Sequence, residues 1–405
     1  MTIKKVKMAD IATCIQPGPF GSQLHSSDYT EEGTPIIMPK DMLDGKIVHT
    51  GLIKVPEEHL VRLKRHQVFD GDLMVARKGD VRKCVYITEK ENGWLTGSDC
   101  LKVCLDKNLC YPKYIYYQLK SPFIGKWLEQ ISIGATMPSL NTGLLSGIEL
   151  NLPPVDIQRG IAHRLEVYDD LIENNQKQIK LLEEAAQRLY KEWFVDLRFP
   201  GHETTPIVDG VPEGWTQCCL EDVILFNPKV RLSKERLKQS VPMSSLSTTS
   251  MVLDFDELTT TYSNAGSKFQ NGDVLLARIT PCLENGKTAF VSGIESTEGA
   301  VGSTEYIVMR SKKINPYMVY LLARTKDFRQ AAINSMTGSD GRQRAQVDKL
   351  KALPYLKPKV QVIELFAKYV EPMFRQIHMK NRQNMKLKQA RERLLPKLMS
   401  GELEK

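Results

Sequence analysis

The most constraining feature of this chain is that part of its sequence occurs twice. Three groups of residues recur in the same order about 200 residues further along the chain. They are Gly71–Arg77 (GDLMVAR) and Gly272–Arg278 (GDVLLAR), Gly97-Ser98 and Gly302-Ser303, and Pro112 with Tyr116 and Pro316 with Tyr320. A repeat of this length is far too long for a solenoid or propeller blade, so each copy is predicted to be a domain with its own core.

Composition agrees with a globular protein of two or three domains. The 405 residues are 41% hydrophobic and 26% charged, which is ordinary usage for folded proteins. The 56 Lys and Arg residues outnumber the 48 Asp and Glu residues, giving a net charge of +8 and a pI near 8.9. That balance favours polyanionic partners, although solubility alone explains it equally well. The sequence shows neither a signal peptide nor an apolar run long enough for a membrane span, so we expect a cytoplasmic protein.

The eight cysteines do not have the spacing of a metal site. Cys100, Cys104 and Cys110 are close in sequence, but they lack the paired C-x2-C arrangement of structural zinc sites. We therefore predict reduced thiols in the core and no metal.

Each copy is predicted to be an α+β globule followed by a long helix. The apolar residues after Gly71-Asp72 and Gly272-Asp273 predict a buried strand in each copy, and Tyr114–Gln130 and Tyr317–Ile333 predict partly helical segments.

The long helices are predicted from apolar positions that alternate steps of four and three residues, as in a coiled coil. The first series is Ile161, Leu165, Tyr168, Ile172, Asn175, Ile179, Leu182, Ala186, Leu189 and Trp193. The second is Phe366, Val370, Met373, Ile377, Lys380, Asn384, Leu387, Arg391, Leu394 and Leu398. Pro372 lies inside the second series and predicts a kink or a late helix start.

We expect the two helices to pair with each other, their polar positions fixing the register. The alternative is that each helix lies separately on its own domain. An antiparallel pair would separate two globules, and a helix from Ile157 to Phe194 would be about 55 Å long.

The predicted fold is therefore α+β, with two similar globular domains separated by an antiparallel coiled coil and related by a pseudo-two-fold axis. Double-stranded DNA has matching symmetry. The expected boundaries are residues 1–155 for the first domain, 156–199 for the central helix, 200–211 for a connector, 212–357 for the second domain, 358–399 for the carboxyl-terminal helix and 400–405 for a tail.

Several motifs, taken together and in this order, resemble the DNA-specificity subunit of Type I restriction-modification systems over essentially the whole chain. Besides the duplicated GD strand, they are Gly214-Trp215 followed by Leu220–Val223, the Leu152-Pro153-Pro154 hinge, and the terminal segment Leu395–Leu403 (LPKLMSGEL). The second copy departs from the pattern at its hinge, where Leu356-Lys357-Pro358 replaces Leu-Pro-Pro.

The resemblance implies a non-catalytic subunit with two target-recognition domains, each of which reads one half of a bipartite, gapped DNA sequence. It also implies that the helices set the spacing and bind two methyltransferase subunits, and that restriction subunits with nuclease and translocase activity join for cleavage. No cofactor is expected on this chain: S-adenosylmethionine would belong to the methyltransferase, and ATP and Mg to the restriction subunit.

Candidate DNA contacts lie in loops rich in small, amide and basic side chains, because Gln pairs with adenine and Arg with guanine or phosphate. Surface turns and solvated charges are the alternative interpretation of these residues. The candidates are Ser22, Gln23, Lys40, Arg77, Lys78, Arg82, Thr136 and Asn141 in the first domain, and Arg278, Thr280, Lys287, Ser339, Arg342, Gln343 and Arg344 in the second. Of these, Arg342, Gln343 and Arg344 are the preferred candidates.

Catalytic motifs are not evident in the sequence. Asn315-Pro316-Tyr317 is similar to an adenine-methyltransferase motif, but the first copy has Tyr111-Pro112 at that place, and a proline that starts a helix explains both. Neither a P-loop nor a glycine-rich nucleotide motif is present. A coiled-coil scaffold with two protein-binding end domains remains the main alternative function, and a stand-alone nuclease or methyltransferase is a further one.

Overall fold

The computed structural model describes residues 3–131, 139–339, 341–400 and 402, and these fall into two units. Unit 1 comprises Met1–Asp169 with Gln389–Lys405, and unit 2 comprises Asp170–Lys388. Each unit therefore combines one copy of the repeated globular segment with part of each long helix.

Unit 1 contains eleven described strands and six described helices, the last of which continues into unit 2. The strands are β1 (Lys4–Lys7), β2 (Ala12–Pro17), β3 (Thr34–Ile37), β4 (Met42–Leu43), β5 (Lys46–Ile47), β6 (Ile53–Val55), β7 (Leu73–Ala76), β8 (Cys84–Tyr86), β9 (Leu95–Thr96), β10 (Cys100–Leu105) and β11 (Glu149–Leu152). The helices are α1 (Met8–Ile11), α2 (Leu60–Leu63), α3 (Pro112–Leu119), α4 (Pro122–Ile131), α5 (Thr142–Ser146) and α6 (Val155–Tyr190).

Unit 2 adds twelve described strands and five described helices. The strands are β12 (Ile207–Val208), β13 (Val211–Pro212), β14 (Thr216–Cys219), β15 (Ile224–Phe226), β16 (Lys238–Val241), β17 (Thr259–Thr261), β18 (Ser267–Phe269), β19 (Val274–Ala277), β20 (Thr288–Phe290), β21 (Ala300–Gly302), β22 (Tyr306–Ser311) and β23 (Pro354–Lys357). The helices are α7 (Leu220–Val223), α8 (Pro316–Ala323), α9 (Lys326–Asn334), α10 (Val347–Lys351) and α11 (Val360–Ser400). A π-helical turn, Lys191–Val195, extends α6.

The two units share one sheet topology, as the repeat predicts. Unit 1 has an antiparallel sheet of order β2-β10-β7-β8, and unit 2 has the order β15-β22-β19-β20. In both units a second sheet contains one parallel pair, β3 with β9 and β16 with β21, and a separate two-stranded sheet joins the start of the unit to its end, β1 with β11 and β14 with β23. The prediction of an α+β fold with two similar domains is confirmed.

The repeated Gly-Asp motif is a turn that leads into the central strand of each main sheet. Gly71 and Gly272 have φ angles of 91° and 90°, which favour glycine. The following aspartates close the turn, because Asp72 accepts a hydrogen bond from the Phe69 amide at 2.9 Å and Asp273 accepts one from the Gln270 amide at 2.8 Å. All four residues of β7 and of β19 are buried, as the sequence predicts.

The helices predicted in the second half of each globule are present as α3 with α4 and α8 with α9. Pro112 and Pro316 occupy the first turn of α3 and α8, where a missing amide hydrogen costs nothing. In unit 2 the Asn315 side chain also accepts a hydrogen bond from the Tyr317 amide at 2.8 Å. The Asn-Pro-Tyr segment is therefore a helix start, as predicted, rather than a methyltransferase motif.

The two long helices pack antiparallel, so the coiled-coil prediction is confirmed and the alternative of two separate helices is wrong. In unit 1 the start of α6 shares a core with the end of α11, through Ile161 and Leu165 on one helix and Leu395 and Leu398 on the other. In unit 2 the π-helical turn that extends α6 meets the start of α11, where the Trp193 and Phe366 rings are 5.5 Å apart. The late helix start predicted from Pro372 is wrong, because α11 begins at Val360 and Pro372 itself is exposed.

Buried and half-buried polar side chains interrupt the apolar contacts between these two helices. In unit 2, Asn175 donates a hydrogen bond to Asn384 at 2.9 Å, and Asn384 donates to the Ile172 carbonyl at 3.4 Å. In unit 1, Asp169 accepts hydrogen bonds from Arg391 and, at 2.8 Å, from the Tyr117 hydroxyl. These contacts can form in one register only, which is the usual benefit of polar groups in an apolar seam.

A second set of contacts fixes α6 to the globular part of unit 2. The Glu183 carboxylate is buried and accepts hydrogen bonds from the Tyr320 hydroxyl, from the Met251 amide at 3.0 Å and from the Ser250 hydroxyl at 3.4 Å. Burial raises the pKa of Glu183, whereas the hydrogen bond from Tyr320 lowers it. These three hydrogen bonds therefore fix α6 at Glu183 against the globular part of unit 2.

One prediction about the cysteines is wrong. Cys14 on β2 lies opposite Cys104 on β10, with their Cα atoms 5.0 Å apart, and the two form a disulfide. Spacing alone gave no sign of this pair, because the strand register brings together residues that are 90 positions apart. Cys100 and Cys110 are buried free thiols, as predicted, and burial raises the pKa of Cys110 to about 12.

No described helix is long and apolar enough to cross a membrane. No three His, Cys, Asp or Glu side chains within the described ranges lie close enough together to hold a metal ion.

Replacing Asn384 with alanine should destabilise the protein by about 1–3 kcal/mol, because the buried Asn175 amide would lose one of its two acceptors and keep only Gln383. Chemical denaturation followed by circular dichroism measures this loss. The control is Asn174→Ala, at an exposed position of α6 next to Asn175. This variant should change the free energy of unfolding by about 0.5 kcal/mol or less. Equal stability of the two variants would contradict the assignment of this polar pair.

Candidate nucleic-acid interface

The same arrangement of loops recurs at one edge of the main sheet in both units. We call it the loop frame. In unit 1 it consists of residues 18–23, 77–83, 97–99 and 139–141, and in unit 2 of residues 227–231, 278–287, 302–305 and 337–345, with residue 340 outside the described part of the chain. Most of the predicted contact residues belong to one of these two frames.

Backbone hydrogen bonds hold the two frames in the same way. The Arg77 amide donates to the Asp99 carbonyl at 2.7 Å, and the Arg278 amide donates to the Glu305 carbonyl at 3.0 Å. The arginine carbonyls accept in turn from the Leu140 amide at 2.8 Å and from the Ala345 amide at 2.8 Å. Arg77 and Arg278 are thus equivalent residues on equivalent backbones, although the side chains around them differ.

Gly97 and Gly302 allow the frame backbone to pass very close to the backbone of a neighbouring strand. A Cβ atom at Gly97 would lie 2.6 Å from the Ile37 carbonyl oxygen, and one at Gly302 would lie 2.7 Å from the Val241 carbonyl oxygen. Real Cβ atoms essentially never approach so closely, so any other residue would push the frame away from the neighbouring strand. The Gly-Ser repeat therefore has a structural cause.

In the unit 1 frame, the candidate cations have partners. The Arg77 guanidinium lies 5.9 Å from the centre of the Phe20 ring, which is 57% exposed. Lys78 is paired with Asp99 at 3.1 Å, and Arg82 with Asp80 at 3.5 Å. Each of these three cations therefore already lies beside an aromatic ring or a carboxylate of unit 1.

The remaining unit 1 candidates take several structural roles. Ser22 and Gln23 form a 3-10 turn, in which Ser22 is exposed. Lys40 is exposed and lies 3.9 Å from Asp41, away from the frame residues in sequence. Asn141 caps α5 by accepting a hydrogen bond from the Leu144 amide at 2.8 Å. Thr136 lies outside the described residues.

In the unit 2 frame, Arg344 is engaged within the protein. Its guanidinium contacts the Glu305 carboxylate through Nε at 2.9 Å and through Nη2 at 2.8 Å. The hydrogen bonds from Arg344 lower the pKa of Glu305, and the same contacts raise the pKa of Arg344. This fork supports the loop, and it leaves Arg344 less free to contact a ligand than the sequence alone indicated.

Other unit 2 candidates differ in how far their side chains are free. Arg342 is exposed and has no ion pair among the described residues, and Ser339 is exposed beside it. Gln343 accepts a hydrogen bond from the Thr280 amide at 3.1 Å through its backbone carbonyl. Lys287 donates to the Met243 carbonyl at 2.9 Å, as its counterpart Lys83 does to the Pro39 carbonyl at 3.0 Å, so both lysines tie the frame to the second sheet.

In unit 2, three basic residues in or beside the frame were not predicted from the sequence. Lys229 and Arg231 lie on the loop after β15, and Lys268 lies on β18; together with Arg278 they line an open cleft of about 480 Å³. Aligning the two copies would have identified the first two, because their loop occupies the position that residues 18–23 occupy in unit 1. Lys268 has no such signal, since the repeat aligns it with Gln67, an uncharged residue that pairs with Leu95 as Lys268 pairs with Val301.

Comparisons with known proteins point to one family. Residues 2–184 match the family described as "Type I restriction modification DNA specificity domain". The chain is 24% identical to the Type I restriction enzyme MjaIX specificity subunit of Methanocaldococcus jannaschii, over 93% of this chain and 88% of that protein. It is 20% identical to the HindI specificity subunit of Haemophilus influenzae, over 90% of this chain and 93% of that protein.

A solved structure shares the fold. The crystal structure of the S subunit of a Type I restriction-modification system from M. genitalium matches with a TM-score of 0.58 at 16% identity, over 98% of this chain and 96% of that one. The matched domain at residues 2–184 and the two relatives aligned over nearly the whole chain assign this chain to the Type I restriction-modification DNA specificity subunits, a non-catalytic family, and the solved structure shares its fold.

Proposed function

We propose that the two globular domains of this specificity subunit each read one half of a bipartite, gapped DNA target. The domains are placed at residues 1–155 and 212–357. The helices at 156–199 and 358–399 set the separation of the half-sites, 200–211 serves as a connector and 400–405 as a tail. The observation that carries the proposal is that an arginine occupies the same point of the same loop frame in both units.

The loop frame has the physical properties that sequence recognition requires. Its backbone is held by hydrogen bonds to the main sheet, so its side chains are presented from a fixed base. Arginine donates two parallel hydrogen bonds to the O6 and N7 atoms of guanine, and this pairing is the commonest specific contact in the major groove. A rigid frame with interchangeable side chains supports recognition of two different half-sites by one fold.

We rank the candidate residues by how free their side chains are. Arg77, Arg278 and Arg342 are the preferred base or phosphate contacts. Ser22, Gln23, Ser339 and Gln343 supply hydrogen-bonding groups beside them. Arg344, Asn141 and Lys287 act mainly by holding their loops, because each has a partner within the protein.

The helices are proposed to bind two methyltransferase subunits. On the part of the helix pair that lies in unit 2, large apolar side chains remain exposed: Leu171 (42%) and Leu181 (62%) on α6, and Tyr369 (53%) and Met379 (56%) on α11. Exposed apolar side chains on a helix that already buries its own seam favour a protein partner. In the complex, the methyltransferase would bring S-adenosylmethionine, and restriction subunits would bring ATP and Mg.

The function is tested by mapping methylated adenine in host DNA with the wild-type complex and with single variants. We expect methylation of one bipartite, gapped motif. Arg77→Ala should relax base choice in one half of that motif and Arg278→Ala in the other, with about 1–3 kcal/mol of discrimination lost at the affected base pair.

The matched controls are Lys90→Ala in unit 1 and Lys349→Ala in unit 2, both exposed and outside the loop frames, which should leave the motif intact. Absence of a bipartite motif with the wild-type complex would overturn the proposed function. If the motif exists but both arginine variants alter the same half, the assignment of one domain to each half-site is wrong.

Leu181→Asp should reduce recovery of the methyltransferase subunits with the tagged chain by about tenfold or more, because an unpaired charge would be buried at the contact. Co-purification followed by quantitative gel analysis measures the recovery. The control is Gln176→Asp, which introduces the same single negative charge at another exposed, neutral residue of α6. Equal recovery of both variants would exclude this part of α6 from the interface.

A further inference from the structure

The cleft in the unit 2 loop frame is lined by four cations, and its lining contains no Asp or Glu. Lys229 and Arg231 are exposed on one wall and Lys268 is half-buried on another. Tyr306 and Val308, both buried residues of β22, contribute to the lining. The main sheet therefore forms the base of the cleft, and the charged residues of its walls are all positive.

Three of these four cations have no partner among the described residues. Within the described ranges, Lys229, Arg231 and Lys268 make no ion pair or side-chain hydrogen bond, and Arg278 approaches Glu305 only to 3.9 Å. The Nε atom of Arg278 is buried and also lacks an acceptor there. Like charges grouped without a counter-charge destabilise the unliganded protein, and an anion in the cleft would reverse this effect.

The unit 1 frame is arranged differently at the equivalent place. Its loop 18–23 carries no basic residue. In the neighbouring loop 77–83, Arg77, Lys78 and Arg82 contact Phe20, Asp99 and Asp80, and the fourth cation, Lys83, donates to the Pro39 carbonyl. The backbones of the two frames are equivalent, but their cations differ. In unit 2 three cleft cations have no partner among the described residues, whereas in unit 1 the cations contact groups of the protein.

We propose that the unit 2 cleft binds a phosphodiester group of the DNA backbone, so that unit 2 supplies the larger share of the sequence-independent affinity. This proposal rests on the proposed function and adds to it a division of roles between the two domains. Contacts to phosphate fix register and orientation without selecting bases, whereas Arg77 and Arg278 are the residues proposed to select bases.

The test is the salt dependence of DNA binding by the full chain in complex with its methyltransferase subunits. The probe is a duplex of random sequence. Affinity falls as salt rises, and each neutralised phosphate makes the slope of log affinity against log salt concentration steeper by about 0.9. The double variant Lys229→Ala/Lys268→Ala should make that slope shallower by about 1, the contribution of the one phosphate held in the cleft, and should weaken binding equally for target and random duplexes.

The control is Lys326→Ala/Lys349→Ala, which removes two exposed lysines of the same unit outside the cleft and should leave the slope unchanged. Lys229→Arg/Lys268→Arg should retain the wild-type slope. Thermal melting of every variant establishes that it is folded. Because Lys229 and Lys268 have no partner among the described residues, we expect their replacement to leave the melting temperature unchanged.

Two results would overturn the proposal. One is a slope for the cleft variant equal to that of the wild type. The other is an affinity loss confined to the target duplex, which would make the lysines base contacts. Either result alongside a methylated bipartite motif would refute the phosphate site alone, whereas absence of the motif would refute the proposed function whatever the slope.

Discussion

The antiparallel packing of α6 against α11 is the constraint on which the rest of the structure depends. Neither globular segment has a complete core by itself. The core of unit 1 includes Leu398 and Met399, from the far end of the chain, and the core of unit 2 includes Tyr190 and Trp193, which follow the first globular segment. Each long helix therefore contributes to both units, and the fold of a unit depends on residues far from it in sequence.

Apolar burial and polar contacts have separate roles in this pairing. The apolar positions of the seam supply most of the favourable free energy, since each fully buried large side chain contributes about 1.5–3 kcal/mol. The Asn175–Asn384 hydrogen bond and the Asp169–Arg391 ion pair add less, but they are lost in any other register. The same logic applies to the loop frames, where backbone bonds fix position and side chains remain free to vary in chemistry.

The sequence predicts the features that depend on local pattern or on repetition. The duplicated Gly-Asp motif, the buried strand after it and the heptad spacing of both helices each follow from residue order. Features that depend on long-range register do not. Glu305 meets Arg344, and Cys14 meets Cys104, only because distant strands and loops align, and nothing near these residues in the sequence indicates a partner. The basic cleft could be predicted only in part, because aligning the two copies identifies Lys229 and Arg231 but not Lys268.

Hydrogen exchange measured by mass spectrometry tests the shared-helix account most directly. Leu398→Ala removes a buried side chain near the end of α11 and should destabilise by about 2–5 kcal/mol. The account predicts faster exchange in β2, β7 and β10 of unit 1, with the start of α11 at Val360–Ile377 unaffected and with Met379→Ala, at an exposed position, behaving as the wild type. Faster exchange confined to the residues around Leu398, with the unit 1 strands fully protected, would contradict it.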